Sequence, residues 1–162
     1  MTEDETKEYD VLIPQETYAL LEFEQEDSLG SAVINIGLRG FEPKVVFGWH
    51  LSLAMELHEV DSDKLPTDAE RDVVDEFGKV LDVGVIGEEQ DKPNAVFLGQ
   101  IFWNGTLELI WRVFDPDQAN EFLQKLVKEE GERRPRAFDF RMEHDPNWDL
   151  CQWHLEEHQG TE

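Results

Sequence analysis

Apolar and polar residues alternate along residues 45–57 of the chain. The odd positions of this stretch are all apolar: Val45, Phe47, Trp49, Leu51, Leu53, Met55 and Leu57. The even positions include Gly48, His50, Ser52 and Glu56. Because successive side chains of a strand point to opposite faces of a sheet, this alternation predicts a long strand with one face in the core.

Two helices are predicted from capping residues that precede apolar positions at helical spacing. Thr67 can cap the first helix, with Glu70 three residues later as in a capping box. Asp115 and Pro116 open the second helix, because proline suits the first helical position, and Gly131 is its predicted end. The inward stripes are Val73, Val74, Phe77, Val80 and Leu81 in the first helix, and Ala119, Phe122, Leu123, Leu126 and Val127 in the second.

The dipeptide Asn104-Gly105 separates two short apolar runs. The runs cover residues 96–103 and 106–114. Asparagine and glycine tolerate the positive φ angles of a two-residue type I′ turn, so the sequence predicts a β-hairpin in which Trp103 faces Thr106.

The register of this hairpin predicts which of its residues face the core. Counting back from the turn pairs Leu98 with Trp111, and Val96 with Val113. The core side then carries Val96, Leu98, Phe102, Leu107, Leu109, Trp111 and Val113.

The opposite side of the hairpin is more apolar than a solvated sheet face. It carries Phe97, Ile101, Trp103 and Ile110, together with Gly99, Glu108 and Arg112. Either the N-terminal segment or a C-terminal strand folds over this side, or it is a surface for a partner or a second copy of the chain. The candidate interaction surface consists of Phe97, Ile101, Trp103, Ile110 and Arg112.

The element order from residue 45 onward is strand, helix, strand, strand, helix, strand. This order predicts an α+β fold with a ferredoxin-like β-α-β-β-α-β core, in which residues 138–142 form the last core strand. Residues 18–23 and 32–38 add N-terminal strands, and a short C-terminal strand includes Cys151, Trp153 and Leu155. We expect a disordered acidic N-terminus at residues 1–10, one domain over residues 11–155, and a flexible tail at residues 156–162.

The formal net charge of the 162 residues is -24, from 38 acidic and 14 basic side chains. This charge opposes contact with nucleic acid and with anionic membranes, so we expect neither as a partner. It either keeps the surface hydrated in a salty cytoplasm or forms an acidic face for a basic protein. The amino terminus has no basic start and no apolar stretch, so a cytoplasmic protein is expected.

Few residues suggest chemistry, and we expect no catalytic residue, no cofactor and no metal. His50, Ser52 and His58 lie on the outward side of the long strand and are candidates for a ligand site, or ordinary half-exposed strand residues. His154 and His158 fit an H-x-x-E-H zinc pattern, but the four residues after His158 leave no room for a third ligand. The single cysteine, Cys151, cannot form an internal disulfide and is expected to be a buried thiol.

Several of these segments resemble a bacterial family known as domain-of-unknown-function 695. The resemblance covers residues 30–155 and lies in the order of the long strand, the Asn104-Gly105 hairpin, the helix opened by Asp115-Pro116, and the Asp145-Pro146-Asn147-Trp148 ending. That family is in turn similar to the regulator of ribonuclease E activity B. The resemblance implies an acidic ferredoxin-like module and, for the ribonuclease regulators, action by binding an enzyme.

We therefore expect a non-enzymatic protein-binding regulator or inhibitor, similar to a ribonuclease regulator or an immunity protein. Its partner would be another protein, with a basic surface favoured, or a second copy of the chain. One alternative is a small-molecule-binding protein or enzyme with a polar site on the open sheet face. The other alternative is a self-associating structural domain.

Overall fold

The computed structural model describes residues 13–87, 92–128 and 137–155. These residues form an α+β fold, a six-stranded antiparallel open sheet with three helices, in the strand order β1-β2-β4-β5-β3-β6. The elements are β1 (Tyr18–Gln25), β2 (Ser28–Asn35), β3 (Trp49–Glu56), α1 (Asp68–Ile86), β4 (Ala95–Trp103), β5 (Thr106–Val113), α2 (Pro116–Lys128), β6 (Phe138–His144) and α3 (Gln152–Leu155). The predictions for residues 1–10, for Gly131 and for residues 156–162 lie outside the described residues.

The helices α1 and α2 cover one face of the sheet, which we call the helix face. The odd positions of β3 are buried there, as the alternation predicts, and Leu51, Leu53 and Met55 belong to the main core. The predicted strand is wrong before Trp49, because Lys44–Phe47 forms a 3-10 turn. This turn leaves Val45 exposed and buries Phe47 on the other side of the sheet.

The predicted start of α1 is confirmed. Thr67 Oγ1 accepts a hydrogen bond from the Glu70 N–H at 3.2 Å. The buried Glu70 carboxylate accepts the His58 N–H at 2.7 Å, which ties the first turn to the end of β3. Val74, Phe77 and Leu81 of the predicted stripe are buried, whereas Val73 and Val80 are 37% exposed and lie outside the buried stripe of α1. Its apolar members are Val74, Phe77, Leu81 and Val85.

The helix α2 and the hairpin turn also agree with the prediction. Asp115 Oδ1 accepts the Asp117 N–H at 3.0 Å at the start of α2. The buried residues of α2 are Ala119, Leu123 and Leu126. Asn104 and Gly105 have φ angles of 53° and 81°, which suit a type I′ turn.

A β-bulge between Phe97 and Gly99 changes the hairpin register. Val96 pairs with Arg112 and not with Val113, because one extra residue stands in β4. The predicted pairing of Leu98 with Trp111 is wrong for the same reason. Val96 and Leu98 therefore lie on the face opposite the helices, while Phe97 packs on the helix face.

Two segments of the chain cover part of this opposite face, which we call the second face. Val96, Leu98 and Ile110 pack there against Leu38, Phe41, Phe47, Trp148 and Cys151. The predicted C-terminal strand around Cys151 is wrong, because Asp149–Cys151 is a 3-10 turn that leads into α3. The chain itself therefore covers part of this side of the hairpin, which was one of the two interpretations of its apolar residues.

The hairpin of β1 and β2 extends the sheet beyond α1. Leu21, Ala32 and Ile34 form a small apolar cluster on the second face. On the helix face, Tyr18 and Leu20 are 45% and 54% exposed. This part of the sheet is therefore accessible on the side that carries the helices.

Candidate functional site

The three candidates for a ligand site do not lie together. His50 is buried, and its Nδ1 lies 3.1 Å from Arg112 Nη1. Ser52 donates to Glu108 Oε2 at 2.5 Å on the polar part of the second face. His58 follows the end of β3 and is exposed. His50 and His58 are separated by eight positions, roughly 25 Å along an extended strand.

The candidate interaction surface is divided by the structure. Ile110 and Arg112 are 0% exposed, so a partner cannot touch them. The β-bulge places Phe97 on the helix face. Ile101 and Trp103 line a small groove of about 260 Å³ on the second face, together with Phe23, Gln25, Thr106, Glu108 and Trp153.

The Asp145-Pro146-Asn147-Trp148 ending lies over Arg112. The Arg112 guanidinium is 4.8 Å from the centre of the Trp148 ring. Trp148 has a left-handed φ of 64° and donates from Nε1 to the Lys44 and Phe47 carbonyl oxygens at 2.9 and 3.0 Å. Phe41 stacks on the same ring with a centroid distance of 5.5 Å. These contacts hold the C-terminal segment against the sheet, so this cluster is structural.

A larger groove lies on the helix face, between α1 and the projecting strands. Its volume is about 530 Å³, within the range of small-ligand sites. One wall is formed by Asp72, Asp75, Glu76, Gly78, Lys79 and Asp82 of α1. The floor and the far side are formed by Tyr18, Phe97, Gln100, Leu109 and Trp111. We call this feature the acidic groove.

Asp82 lies against the aromatic floor of the acidic groove. Its Oδ1 accepts a hydrogen bond of 2.9 Å from Trp111 Nε1. Phe97 packs edge-on against Trp111 with a centroid distance of 5.7 Å. Burial raises the pKa of Asp82 and outweighs the opposing effect of the Trp111 hydrogen bond.

The α1 wall carries four carboxylates and one lysine. Lys79 Nζ lies 3.3 Å from Glu76 Oε2 in an exposed ion pair. Arg71 does not line the groove, but its Nε lies 3.9 Å from Asp75 Oδ2. Burial is the main cause that raises the pKa of Asp75. The groove therefore presents negative charge beside aromatic rings.

Of the residues that line the acidic groove, only Phe97 was among the predicted site residues. Its acidic wall could have been found, because Asp72, Asp75, Glu76 and Asp82 recur at helical spacing on the polar side of the predicted helix. The aromatic floor depends on Phe97, which reaches the helix face only through the β-bulge. The far side depends on Tyr18, whose position is determined by the added hairpin.

Two further findings concern metal ions and membranes. No group of three or more His, Cys, Asp or Glu side chains within residues 13–87, 92–128 and 137–155 is arranged to hold a metal ion. Among the helices that the structure describes, none has both the length and the apolar character needed to cross a lipid bilayer.

Comparisons with protein-family models, with curated proteins and with solved structures gave no significant match for this chain. The resemblance to family 695 therefore remains a prediction.

Proposed function

We propose that this protein is a non-enzymatic binding module for a basic protein, which it regulates or inhibits through the acidic groove. One observation carries the proposal. The α1 wall places four carboxylates beside the part of the helix face where β1 and β2 extend past the helix. A basic segment of a partner would lie along this wall and cover the exposed strands.

The exposed strands offer apolar contacts next to the acidic wall. Tyr18 and Leu20 are 45% and 54% exposed on β1, and Leu29 of β2 is 45% exposed. The pairing of Leu20 with Val33, and of Glu24 with Leu29, places these side chains on the same face of the hairpin. Apolar residues at a polar rim are typical of protein-binding surfaces, and the carboxylates would accelerate association with a basic partner.

The lining of the acidic groove also favours binding over catalysis. Its functional groups are carboxylates, one lysine, one glutamine and aromatic rings, with no histidine, cysteine or serine among the lining residues. A paired nucleophile and base is the usual arrangement for covalent catalysis. Carboxylates beside aromatic rings suit recognition of a cation.

We further propose that β3 to β6, with α1 and α2, form a ferredoxin-like core. The order β4-β5-β3-β6 supports this assignment, because each helix joins two strands that have one other strand between them. In such a core the helices cover one face of the four strands. The hairpin of β1 and β2 is then an addition that creates the far side of the acidic groove.

Affinity capture with charge-matched variants tests the proposed function. The tagged protein is incubated with lysate of its own host at low and high salt, and retained proteins are identified by mass spectrometry. The groove variant carries Asp72→Asn, Asp75→Asn and Glu76→Gln. The control variant carries Glu56→Gln, Glu121→Gln and Asp139→Asn, which changes the net charge equally at exposed positions outside the groove.

We expect the wild-type protein and the control variant to retain the same basic protein, and high salt to release it. The groove variant should lose it. Equal retention by both variants would show that overall charge, and not the groove, is responsible. An empty capture together with a concentration-dependent dimer in sedimentation would favour self-association instead.

A further inference from the structure

We propose that the acidic groove recognises one arginine side chain, whose guanidinium binds to Asp82 beside the rings of Tyr18 and Phe97. The inference rests on the proposed function, because the arginine would belong to the basic partner.

The hydrogen bonding of Asp82 leaves one carboxylate oxygen available. Oδ1 accepts the Trp111 indole N–H at 2.9 Å. Within the described residues, Asp82 forms no other hydrogen bond and no ion pair. The indole thus orients the carboxylate, and Oδ2 remains to accept an N–H from a ligand. A planar cation with several N–H donors matches this arrangement.

The aromatic residues of the groove distinguish between kinds of cation. Trp111 is wholly buried below Asp82, Phe97 packs edge-on against it, and Tyr18 is 45% exposed at the far side. A guanidinium is planar and weakly hydrated, and it stacks on aromatic rings while it binds a carboxylate. A lysine ammonium is compact and strongly hydrated, so the contacts that it gains in this site would offset less of its desolvation free energy.

The charges around Asp82 favour a cation from outside the chain. Lys79 is engaged with Glu76 at 3.3 Å at the exposed rim. Glu16 lies close enough to raise the pKa of Asp82 further, although burial is the larger cause. A guanidinium bound here would compensate negative charge that the described residues leave without an ion-pair partner.

The groove has room for an arginine side chain. Its volume of about 530 Å³ exceeds the space that one side chain fills, so part of the partner's backbone also fits. Gly78 contributes to this room, because a Cβ atom at its position would meet nothing within 4 Å. Free space therefore adjoins α1 at this position, next to the carboxylates.

Titration with small model compounds tests the site on the full-length protein. N-acetyl-L-argininamide is added at millimolar concentration to ¹⁵N-labelled protein, and the Trp111 indole N–H resonance is followed. This resonance is assigned through nuclear Overhauser contacts with the Phe97 ring. N-acetyl-L-citrullinamide is the neutral control of similar shape, and N-acetyl-L-lysinamide is the control of equal charge.

We expect a saturable shift of the Trp111 resonance with the arginine compound and at least five-fold weaker binding of both controls. Asp82→Asn keeps an acceptor for the indole but removes the charge, and should weaken binding at least ten-fold. Tyr18→Leu removes one exposed ring without opening the core, and should weaken binding less. Glu121→Gln on α2 should change nothing.

The inference is overturned if the Trp111 resonance does not move, if the lysine or citrulline compound binds as well, or if Asp82→Asn binds normally. These results are separable from those of the capture experiment. Arginine binding without a captured protein would support the pocket and contradict the proposed partner. If capture depends on the groove but the arginine compound does not bind, the proposed function is supported and only the arginine site is refuted.

Discussion

Arg112 Nη1 donates a hydrogen bond of 3.0 Å to Asp145 Oδ2 beneath the segment that covers the second face. Arg112 also donates from Nη2 to the Asp145 carbonyl oxygen, and from Nε to the Phe47 carbonyl oxygen at 3.2 Å. The Asp145 carboxylate in turn accepts the N–H groups of Asp149 and Leu150 at 3.1 and 2.9 Å. Arg112 therefore joins β5 to both covering segments, to one through an ion pair and to the other through a hydrogen bond.

Asp145→Ala should destabilise the protein by about 3–5 kcal/mol, because it leaves the buried Arg112 charge without its anion. Burial opposes ionisation of Asp145, but the hydrogen bonds from Leu150 and Arg112 outweigh it and hold the pKa below its usual value. Urea unfolding at neutral pH gives the free energy.

Two further variants control this measurement. In the double variant with Arg112→Met, the loss should be smaller than the sum of the two single losses, because no charge stays unpaired. Glu143→Ala breaks an exposed 3.8 Å contact with Arg141 and should cost less than about 1 kcal/mol. An Asp145→Ala protein as stable as this control would contradict the structural role of the pair.

The stability of the protein should fall as the pH decreases from 6.5 to 4, and His50 should cause part of this loss. Burial and then the Arg112 charge lower the pKa of His50 from 6.5 to about 4. Arg112 can only donate, so its 3.1 Å contact requires an unprotonated Nδ1 on His50. The unfolded chain binds a proton in this interval and the folded chain does not, so acidification favours unfolding by up to roughly 3 kcal/mol.

His50→Gln keeps an acceptor for Arg112 but does not titrate in this interval. We expect its unfolding free energy, measured in urea at several pH values, to depend less on pH between 6.5 and 4 than that of the wild type. Because the pKa values of Asp75 and Asp82 are raised in the folded state, acidification of these two groups favours folding, but this effect is the same in both proteins. Parallel pH profiles for the two proteins would refute the role of His50.

The Cys151 thiol should be almost inert in the folded protein. It is 0% exposed, and burial is the main cause that raises its pKa to about 11. Labelling with a chromogenic disulfide should be roughly a hundred-fold slower in buffer than in denaturant, because the folded protein keeps the reagent away from the thiol and keeps the thiol protonated. Asp145→Ala should accelerate the labelling, since it loosens the segment that holds Cys151. Rapid labelling of the native wild type would argue against the buried position.

Two glycines of α1 should respond in opposite directions to alanine. Gly78 has open space where its Cβ would lie, so Gly78→Ala should stabilise the protein by about 0.5–1 kcal/mol through helix propensity. A Cβ at Gly84 would lie 2.0 Å from Phe122 Cζ on α2. Gly84→Ala should therefore be at least about 1 kcal/mol less stable than Gly78→Ala.

Thermal or urea unfolding of both glycine variants compares the same chemical change in the same helix. Adding Phe122→Leu should lessen the difference, because the shorter side chain leaves room for the new methyl group. Equal stability of the two variants would mean that α1 and α2 do not approach each other at this point.

The local elements were predictable wherever a few neighbouring residues determine the backbone. Asn104-Gly105 forms the hairpin turn and Thr67 caps α1, because each effect acts within four residues. The β-bulge was not predictable in this way. A Cβ at Gly99 would lie 2.8 Å from Ile34 Cδ1, so the register there depends on the close approach of β2, a strand distant in the sequence.

The position of Trp148 also depends on residues that are distant in the sequence. The sequence marked the Asp145-Pro146-Asn147-Trp148 ending only as a point of resemblance. Its contacts with Phe41 and with the carbonyl oxygens of the 3-10 turn join parts of the chain about a hundred residues apart, and it also packs on Arg112 of β5. No local pattern reveals such a contact, because neither partner changes the periodicity of its own segment.

The sequence by itself determined the α+β class, most strands and helices, and the strong negative charge, because periodicity, capping and composition are local or additive properties. Only the tertiary structure decided which residues share a face. A one-residue bulge in β4 reverses the faces of Val96, Phe97 and Leu98. The acidic groove exists because that shift and the added hairpin bring aromatic rings beside the carboxylates of α1.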